Sequence, residues 1–235
     1  MRCFRAFVLS SLLIAFTTAS FGCGRSETVQ EKGLREGEAL YDLVEKTHPQ
    51  HSVYELDHQL IVRSEDPART MALLDLKPGE VVGDIGCGSG FYTYKFSEAV
   101  GPTGQVWAID IQQVALDYLK NRLVDEPIPT ASNIRTQLTR TDDPMIPPST
   151  LDAALLSHSD FYAFDKLLPE NERMLKALYT ATKAGGRLVV IQDMTVILEV
   201  GSSAFITRNL TNLGYREEIF DESTPGEVYA RYRKP

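Results

Sequence analysis

The sequence predicts an α/β domain with a doubly wound, mostly parallel sheet of seven strands and helices on both faces. From residue 66 onward, short apolar runs typical of strands alternate with longer amphipathic runs typical of helices. Strands separated by helices form right-handed βαβ units, which build a parallel sheet. The last two strands have no helix between them and predict a closing hairpin with an antiparallel strand. A charged, helix-compatible stretch at 27–46 adds an N-terminal helical extension.

Turn and capping signals bound the elements in the first half of the domain. Asp66 and Pro67 suit the start of a helix, and the Lys77-Pro78-Gly79 segment ends it. Glycine and proline at 101–104 separate the next helix from the strand that follows. The predicted elements are a helix at 67–76, a strand at 81–85, a helix at 92–100, a strand at 105–109, a helix at 114–125 and a strand at 134–138.

The second half of the domain repeats the alternation. A long amphipathic helix ends at Lys183-Ala184-Gly185-Gly186, because glycine favours the end of a helix. A fifth strand is predicted to begin directly after these glycines. The predicted elements are a strand at 151–156, a helix at 170–182, a strand at 187–192, a helix at 203–213 and strands at 215–220 and 227–233.

The turn after the first strand is the most informative segment. It reads VVGDIGCGSG, in which Asp84 precedes glycines at every second position, Gly86, Gly88 and Gly90. Glycine is required where the backbone takes a positive φ or where a ligand approaches it closely. A dinucleotide fingerprint has the spacing G-x-G-x-x-G, whose third glycine would fall at Phe91. The observed spacing therefore disfavours a nicotinamide-dependent oxidoreductase.

The D-x-G-x-G-x-G pattern of this turn resembles motif I of the class I S-adenosylmethionine-dependent methyltransferases. Asp110, which follows the second strand, and the Ala-Gly-Gly segment before the fifth strand are similar to the same family. The resemblance covers roughly residues 50–195 and extends to a branch of bacterial methyltransferases that carry export signals. It implies the Rossmann-like methyltransferase fold, with S-adenosylmethionine as the cofactor.

The resemblance also implies cofactor residues after each strand. Asp110 would accept hydrogen bonds from the two ribose hydroxyls, and the amides of the glycine turn would approach the amino-acid portion. A helix N-cap is the alternative role of Asp110. For adenine, the family has an acid after the third strand; this favours Asp142, with Asp143 or a simple Asx-turn as alternatives. The cofactor candidates are Asp84, Gly86, Cys87, Gly88, Gly90, Asp110, Ile111, Asp142 and Ser157.

The segment after the fourth strand, SHSDFYAF, contains the catalytic candidates. In the family this position lies between the methyl group and its acceptor. His158 or Asp160 would serve as a general base; a buried strand-end histidine and a turn cap are the structural alternatives. Phe161, Tyr162 and Phe164 would enclose an apolar acceptor. Since the sulfonium is already a good leaving group, positioning in a desolvated pocket can supply most of the rate.

The N-terminus has the features of a secretory signal peptide. Arg2 and Arg5 precede an apolar run at 7–16, and small residues follow it. We therefore divide the chain into a signal peptide, a tether with an N-terminal helix, and a methyltransferase-like domain. These parts occupy residues 1–22, 23–48 and 49–235.

The end of the signal predicts a lipid anchor. Ser20-Phe21-Gly22-Cys23 resembles a bacterial lipobox, in which the cysteine is acylated and becomes the new N-terminus. This predicts an exported, periplasmic lipoprotein attached to the membrane through Cys23. Secretion after cleavage at Ala19 and an uncleaved anchor are the alternatives. Cys87, in the glycine turn, is interpreted as a small side chain under the cofactor, with a nucleophile as the alternative.

Charge and histidine spacing limit the partners. The 235 residues include 32 acidic and 24 basic side chains, a net charge of −8, which disfavours nucleic acid because phosphate binding needs a basic face. His48, His51 and His58 lack the spacing of a known metal motif, so no metal is predicted. The sequence predicts methyl transfer from S-adenosylmethionine to an unidentified small or lipophilic acceptor. The alternative is an exported, non-catalytic ligand-binding module that retains the fold.

Overall fold

The computed structural model describes residues 66–157, 169–193, 204–224 and 227–235. Outside the described residues lie several features predicted from the sequence. They are the signal peptide, Cys23, the helix at 27–46 and the histidines up to His58. A 3₁₀ turn at Ala131–Asn133 precedes the third strand. The elements are α1 (Pro67–Leu74), β1 (Val81–Ile85), α2 (Phe91–Val100), β2 (Gln105–Asp110), α3 (Gln113–Asp125), β3 (Ile134–Leu138), β4 (Leu151–Ser157), α4 (Pro169–Ala181), β5 (Thr182–Asp193), α5 (Ala204–Asn212), β6 (Arg216–Asp221) and β7 (Glu227–Arg233).

The strands form one seven-stranded sheet in the order β3-β2-β1-β4-β5-β7-β6. Strands β1 to β5 are parallel, and β7 runs antiparallel to β5 and β6. The predicted α/β class and the closing hairpin are therefore confirmed. The chain moves outward from β1 to β3 and then returns to β4 on the other side of β1. Such a reversal opens a crevice at the carboxyl ends of the strands, where ligands of open α/β sheets bind.

Both faces of the sheet are covered by helices. Side chains of α1, α2 and α3 pack on one face, and those of α4 and α5 pack on the other. Alternate residues of β4 contribute to the two cores: Ala153 and Leu155 face the first group of helices, and Ala154 and Leu156 face the second. Burial on both faces explains why the central strands are continuous apolar runs. Of the helices in the described ranges, none is long and apolar enough to cross a bilayer.

Helix α1 ends two residues before the predicted boundary. Asp75 adopts a left-handed conformation, with a φ of 47°, and its amide donates to the Met71 carbonyl at 2.9 Å. This αL cap satisfies a terminal carbonyl and stops the helix before Lys77-Pro78 is reached.

Strand β5 begins five residues before the predicted start. Thr182 already pairs with Leu151, whereas Arg187 pairs with Ala153, so the register shifts between these two positions. The residues between them, including both glycines, form a bulge within the strand. A bulge adds residues on one strand only and depends on the partner strand, which a local sequence pattern does not reveal.

Candidate functional site

The turn between β1 and α2 has a backbone that requires glycine. Gly86, Gly88 and Gly90 have positive φ values of 74°, 50° and 76°. Residues other than glycine are strained in this backbone conformation. At Gly90 an added Cβ would lie 2.3 Å from Cδ1 of Leu119 on α3. Both the backbone conformation and the packing of α3 therefore require glycine at position 90.

Several amides of this turn are bonded within the protein. The amides of Gly86 and Cys87 both donate to the Ile109 carbonyl at 2.9 Å. The amide of Gly88 donates to Oδ2 of Asp110 at 3.0 Å. These three amides therefore hold the turn against β2, and the approach of the turn to the amino-acid portion of the cofactor stays a prediction. Buried amides require acceptors, and the end of β2 supplies them here.

Asp110 is the last residue of β2 and is only 9% exposed. Its Oδ1 accepts from the Gln112 amide at 2.9 Å, while Oδ2 accepts from Gly88. Burial raises the pKa of Asp110, although the hydrogen bonds from Gln112 and Gly88 act in the opposite direction. The N-cap of α3 is Gln112, so Asp110 is not the cap of that helix. A carboxylate has about four acceptor positions, and further donors can therefore bind it.

Asp84 and Cys87 are buried, and the Cys87 thiol is close to the carboxylates of both Asp84 and Asp110. Oδ2 of Asp84 accepts from the Thr93 hydroxyl at 2.5 Å, which joins β1 to the first turn of α2. Burial raises the pKa of the Cys87 thiol well above its usual range, and the carboxylates of Asp84 and Asp110 add to this effect. A cysteine nucleophile must form the thiolate. This environment opposes the thiolate and favours a packing role for Cys87.

Asp142 lies in the loop after β3, between two arginines. Its Oδ1 accepts from Nε of Arg140, and its Oδ2 accepts from Nε of Arg173 on α4, each at 3.2 Å. Burial acts to raise the pKa of Asp142, but the hydrogen bond from Arg173 and the charge of Arg140 outweigh it and lower the pKa. Asp143 instead accepts from the Met145 amide at 2.7 Å. The Asx-turn considered for this loop is therefore formed by Asp143.

The ends of β2 and β3 lie side by side. Leu138 pairs with Asp110 in the sheet register, and the Thr139 amide donates to the Asp110 carbonyl at 2.9 Å. Ile111 is 37% exposed and Leu138 is 45% exposed, so both present apolar surface at this edge. Ser157, the last residue of β4, is half-buried and pairs with Ile191 of β5.

The structure thus brings together Asp84, the glycine turn and Asp110, with the loop of Asp142 beside them. Three residues that sequence reasoning did not identify also contribute: Thr93, Thr139 and Arg173. Their contacts join separate elements, and no local pattern signals them. The catalytic candidates His158 and Asp160, with Phe161, Tyr162 and Phe164, lie outside the described residues. Within the described ranges, no group of three or more His, Cys, Asp or Glu side chains is arranged to hold a metal.

Comparison with known proteins finds similarity to methyltransferases. Residues 82–186 match the family model described as "Methyltransferase domain". The ubiquinone/menaquinone biosynthesis C-methyltransferase UbiE of Burkholderia cenocepacia is 32% identical over 134 residues, with 53% of this chain and 48% of the relative covered. The chain therefore spans about half the length of the curated relatives that it matches.

Two solved structures share the fold. A SAM dependent methyltransferase from Aquifex aeolicus has a TM-score of 0.59 and 24% identity, with 74% of this chain and 97% of that chain covered. A possible exported protein from Bordetella parapertussis has a TM-score of 0.59 and 16% identity, with 96% of this chain and 79% of that chain covered.

The fold is that of the class I S-adenosylmethionine-dependent methyltransferases. The central region of the chain, residues 82–186, is similar to the methyltransferase domain. The described residues fit S-adenosylmethionine, the cofactor of the Aquifex aeolicus methyltransferase that shares this fold. Asp110 retains acceptor positions for hydroxyl donors, and the glycine turn has no large side chain to oppose close approach.

Proposed function

We propose that this protein transfers a methyl group from S-adenosylmethionine to a small or lipophilic acceptor. The observation that carries the proposal is the buried Asp110 carboxylate at the end of β2, which is bonded to Gly88 of the glycine turn. A carboxylate at this point of the crevice can accept hydrogen bonds from two neighbouring ribose hydroxyls. The match of residues 82–186 to the methyltransferase domain supports the same function.

The remaining cofactor candidates take complementary roles in this proposal. Ile111 offers exposed apolar surface for the flat adenine ring, and Asp142 offers an ionised carboxylate for its exocyclic amine. The glycine turn borders the amino-acid portion through close backbone approach. Asp84 and Cys87 support the turn from inside the protein. Ser157 marks the end of β4, where we place the reacting methyl group.

The chemistry that the cofactor supplies is an activated methyl on a sulfonium. A nucleophilic atom of a bound acceptor would take this methyl, and the electron pair of the broken carbon–sulfur bond would remain on sulfur. A proton lost by the acceptor requires a base or water. His158 and Asp160 remain our candidates for that base. The protein contributes positioning and exclusion of water at the crevice.

The class of acceptor is proposed from two observations. The curated relatives are named C-methyltransferases of ubiquinone/menaquinone biosynthesis, and quinones are lipophilic. The sequence after β4 also contains the aromatic residues Phe161, Tyr162 and Phe164. An apolar acceptor suits aromatic walls of this kind.

Isothermal titration calorimetry of the full chain with S-adenosylmethionine and S-adenosylhomocysteine tests the binding step. We expect saturable binding of both ligands; no binding at millimolar concentration contradicts the proposal. Mass-spectrometric detection of a methylated product, with lipophilic quinones offered as acceptors, tests the transfer step. Binding without transfer to any acceptor supports the alternative of a non-catalytic ligand-binding module.

Acid should weaken cofactor binding through Asp110. A ribose hydroxyl donates a stronger hydrogen bond to the ionised carboxylate than to the protonated acid, so protonation weakens the interaction. Burial raises the pKa of Asp110. Affinity is therefore expected to be constant above the raised pKa and to fall as pH decreases through it, at a higher pH than for an exposed aspartate with a pKa of about 3.9. Calorimetry from about pH 8 down to about pH 4.5 measures this loss.

Asp110→Asn is the matched variant for the pH experiment. It has no ionisable group at position 110, so subtraction of its pH profile removes the titration of the ligand and of other side chains. The wild-type profile should lose affinity on acidification relative to the variant. Parallel profiles would contradict the assignment of the ribose hydroxyls to Asp110.

We also propose that the chain is exported and anchored to the membrane by acylation of Cys23. The basic, apolar and small-residue pattern before Cys23 supports this location. The similarity in fold to a possible exported protein from Bordetella parapertussis is consistent with it. The domain would then act next to a bilayer, where lipophilic acceptors are available.

Cys23→Ser is expected to move the protein from the membrane fraction to the soluble fraction. Serine lacks the cysteine sulfur that the proposed lipidation requires, so the chain loses its lipid anchor. Fractionation followed by immunoblotting measures the change, and Cys3→Ser is the control that should remain in the membrane. Membrane retention of Cys23→Ser would instead support an uncleaved anchor. A wild-type protein found in the soluble fraction would support simple secretion.

A further inference from the structure

Arg122 of α3 reaches the glycine turn from outside the sheet. Its Nη1 donates to the Ser89 carbonyl at 3.2 Å, and its Nε donates to Oε2 of Glu126 at 3.0 Å. The guanidinium also lies 4.1 Å from the ring centroid of Tyr94 on α2. The side chain is only 12% exposed although it is charged. Three contacts therefore fix the position of this guanidinium.

The contact with Ser89 acts on the centre of the turn. Ser89 is buried and lies between Gly88 and Gly90, so its carbonyl fixes the peptide plane that leads into Gly90. Leu119 lies three residues before Arg122 on the same face of α3 and packs against Gly90. One face of α3 thus supports the second half of the turn.

The first half of the turn has a different support. There the amides of Gly86 and Cys87 bond to β2, and Gly88 bonds to Asp110. Loss of Arg122 would leave these bonds in place. Mutations can therefore affect the two halves of the turn separately. Asp110 contacts the half at Gly88, which lies toward the proposed ribose site, and Arg122 contacts the half at Ser89 and Gly90.

We propose that Arg122 is a positioning residue for the amino-acid portion of the cofactor, which it affects through the Ser89 carbonyl. This inference rests on the proposed function, in which the glycine turn borders that portion. Glycine has few conformational restraints of its own, and a turn with alternating glycines needs external contacts to keep one backbone conformation. Arg122 supplies such a contact from a rigid helix.

Arg122→Gln tests the inference when two ligands are compared. S-Adenosylhomocysteine contains the amino-acid portion, whereas 5′-methylthioadenosine has the same adenosine part and lacks it. Calorimetry of the full chain is expected to show about tenfold weaker binding of S-adenosylhomocysteine. For 5′-methylthioadenosine we expect a change of less than about twofold, which is within the effect of a weak surface contact. If Arg122 had a purely structural role, the substitution would weaken the binding of both ligands equally.

Arg135→Gln is the control. Arg135 of β3 lies 4.0 Å from the ring centroid of Trp107, a ring contact like that of Arg122, and donates to the side chain of Gln137. Both affinities should remain at the wild-type level in this variant. If Arg122→Gln does not fold, Arg122→Lys keeps the charge and the aliphatic stem but lacks the planar fork. It should then show the loss for S-adenosylhomocysteine alone.

Unchanged or equally reduced affinities in the folded Arg122 variant would overturn the inference. Failure of the proposed function is distinguishable, because in that case the wild-type chain itself would bind neither ligand. Wild-type binding of S-adenosylhomocysteine with no difference in the variant rejects only the role of Arg122.

Discussion

Asp110→Ala is expected to weaken binding of S-adenosylmethionine by about 1.5–3 kcal/mol, which is roughly a ten- to hundredfold increase in Kd. Two effects contribute to this loss. The variant removes the acceptor for the ribose hydroxyls, and it also releases the Gly88 amide from its bond to Oδ2. An amide without an acceptor in a buried turn destabilises the backbone conformation that approaches the ligand. Calorimetry with S-adenosylmethionine and S-adenosylhomocysteine measures the change.

Asp117→Ala on α3 is the matched control for charge. Its side chain is exposed and accepts from the Gln113 side chain within the helix. The same loss of one negative charge at this surface position should leave the affinity unchanged within error. Equal affinities of wild type and Asp110→Ala would mean that Asp110 only supports the turn and does not contact the cofactor.

Gly90→Ala is expected to lower the free energy of unfolding by about 2–4 kcal/mol. Alanine is strained at the φ of 76° that Gly90 adopts, which accounts for about 1–2 kcal/mol. The remainder comes from the added Cβ, which would lie 2.3 Å from Cδ1 of Leu119. Because Leu119 is fully buried, its side chain has little room to move. Urea unfolding of the purified chain measures the difference.

Gly185→Ala separates the two contributions. Gly185 has the same φ of 76°, but an added Cβ there would meet nothing within 4 Å. Its destabilisation should therefore be limited to the backbone strain of about 1–2 kcal/mol.

In the double variant Gly90→Ala/Leu119→Ala, the steric overlap between the added Cβ at position 90 and the Leu119 side chain is absent. The combined loss should then be smaller than the sum of the single losses by about 1 kcal/mol or more. Strict additivity would show that Gly90 and Leu119 do not interact.

Most of the fold could be predicted from the sequence because its strands are short apolar runs between clear turns. The bounds of β1, β3 and β7 agree with the prediction at both ends. The start of β5 could not be predicted in this way. Thr182 joins the strand through pairing with Leu151, and that pairing belongs to the sheet rather than to the local segment.

In the candidate site, too, local patterns could be predicted from the sequence and contacts between distant segments could not. The glycine turn is a contiguous pattern with a specific spacing, and Asp110 stands at the end of the next strand, so sequence reasoning finds both. Arg173 contacts Asp142 from a helix 31 residues away. The sequence contains no sign of that contact. It also did not predict that the turn amides are bonded to β2, because the backbone partners depend on how the strands lie together.

The internal bonding of the turn has a consequence for the thermodynamics of ligand binding. Since Gly86, Cys87 and Gly88 already have acceptors in the protein alone, this part of the crevice is preorganised. The ligand then loses its own freedom on binding but does not have to order this loop. The heat-capacity change at the turn should reflect buried apolar surface without a contribution from coupled folding. A chain with such a turn has completed this part of its architecture before it binds any nucleoside.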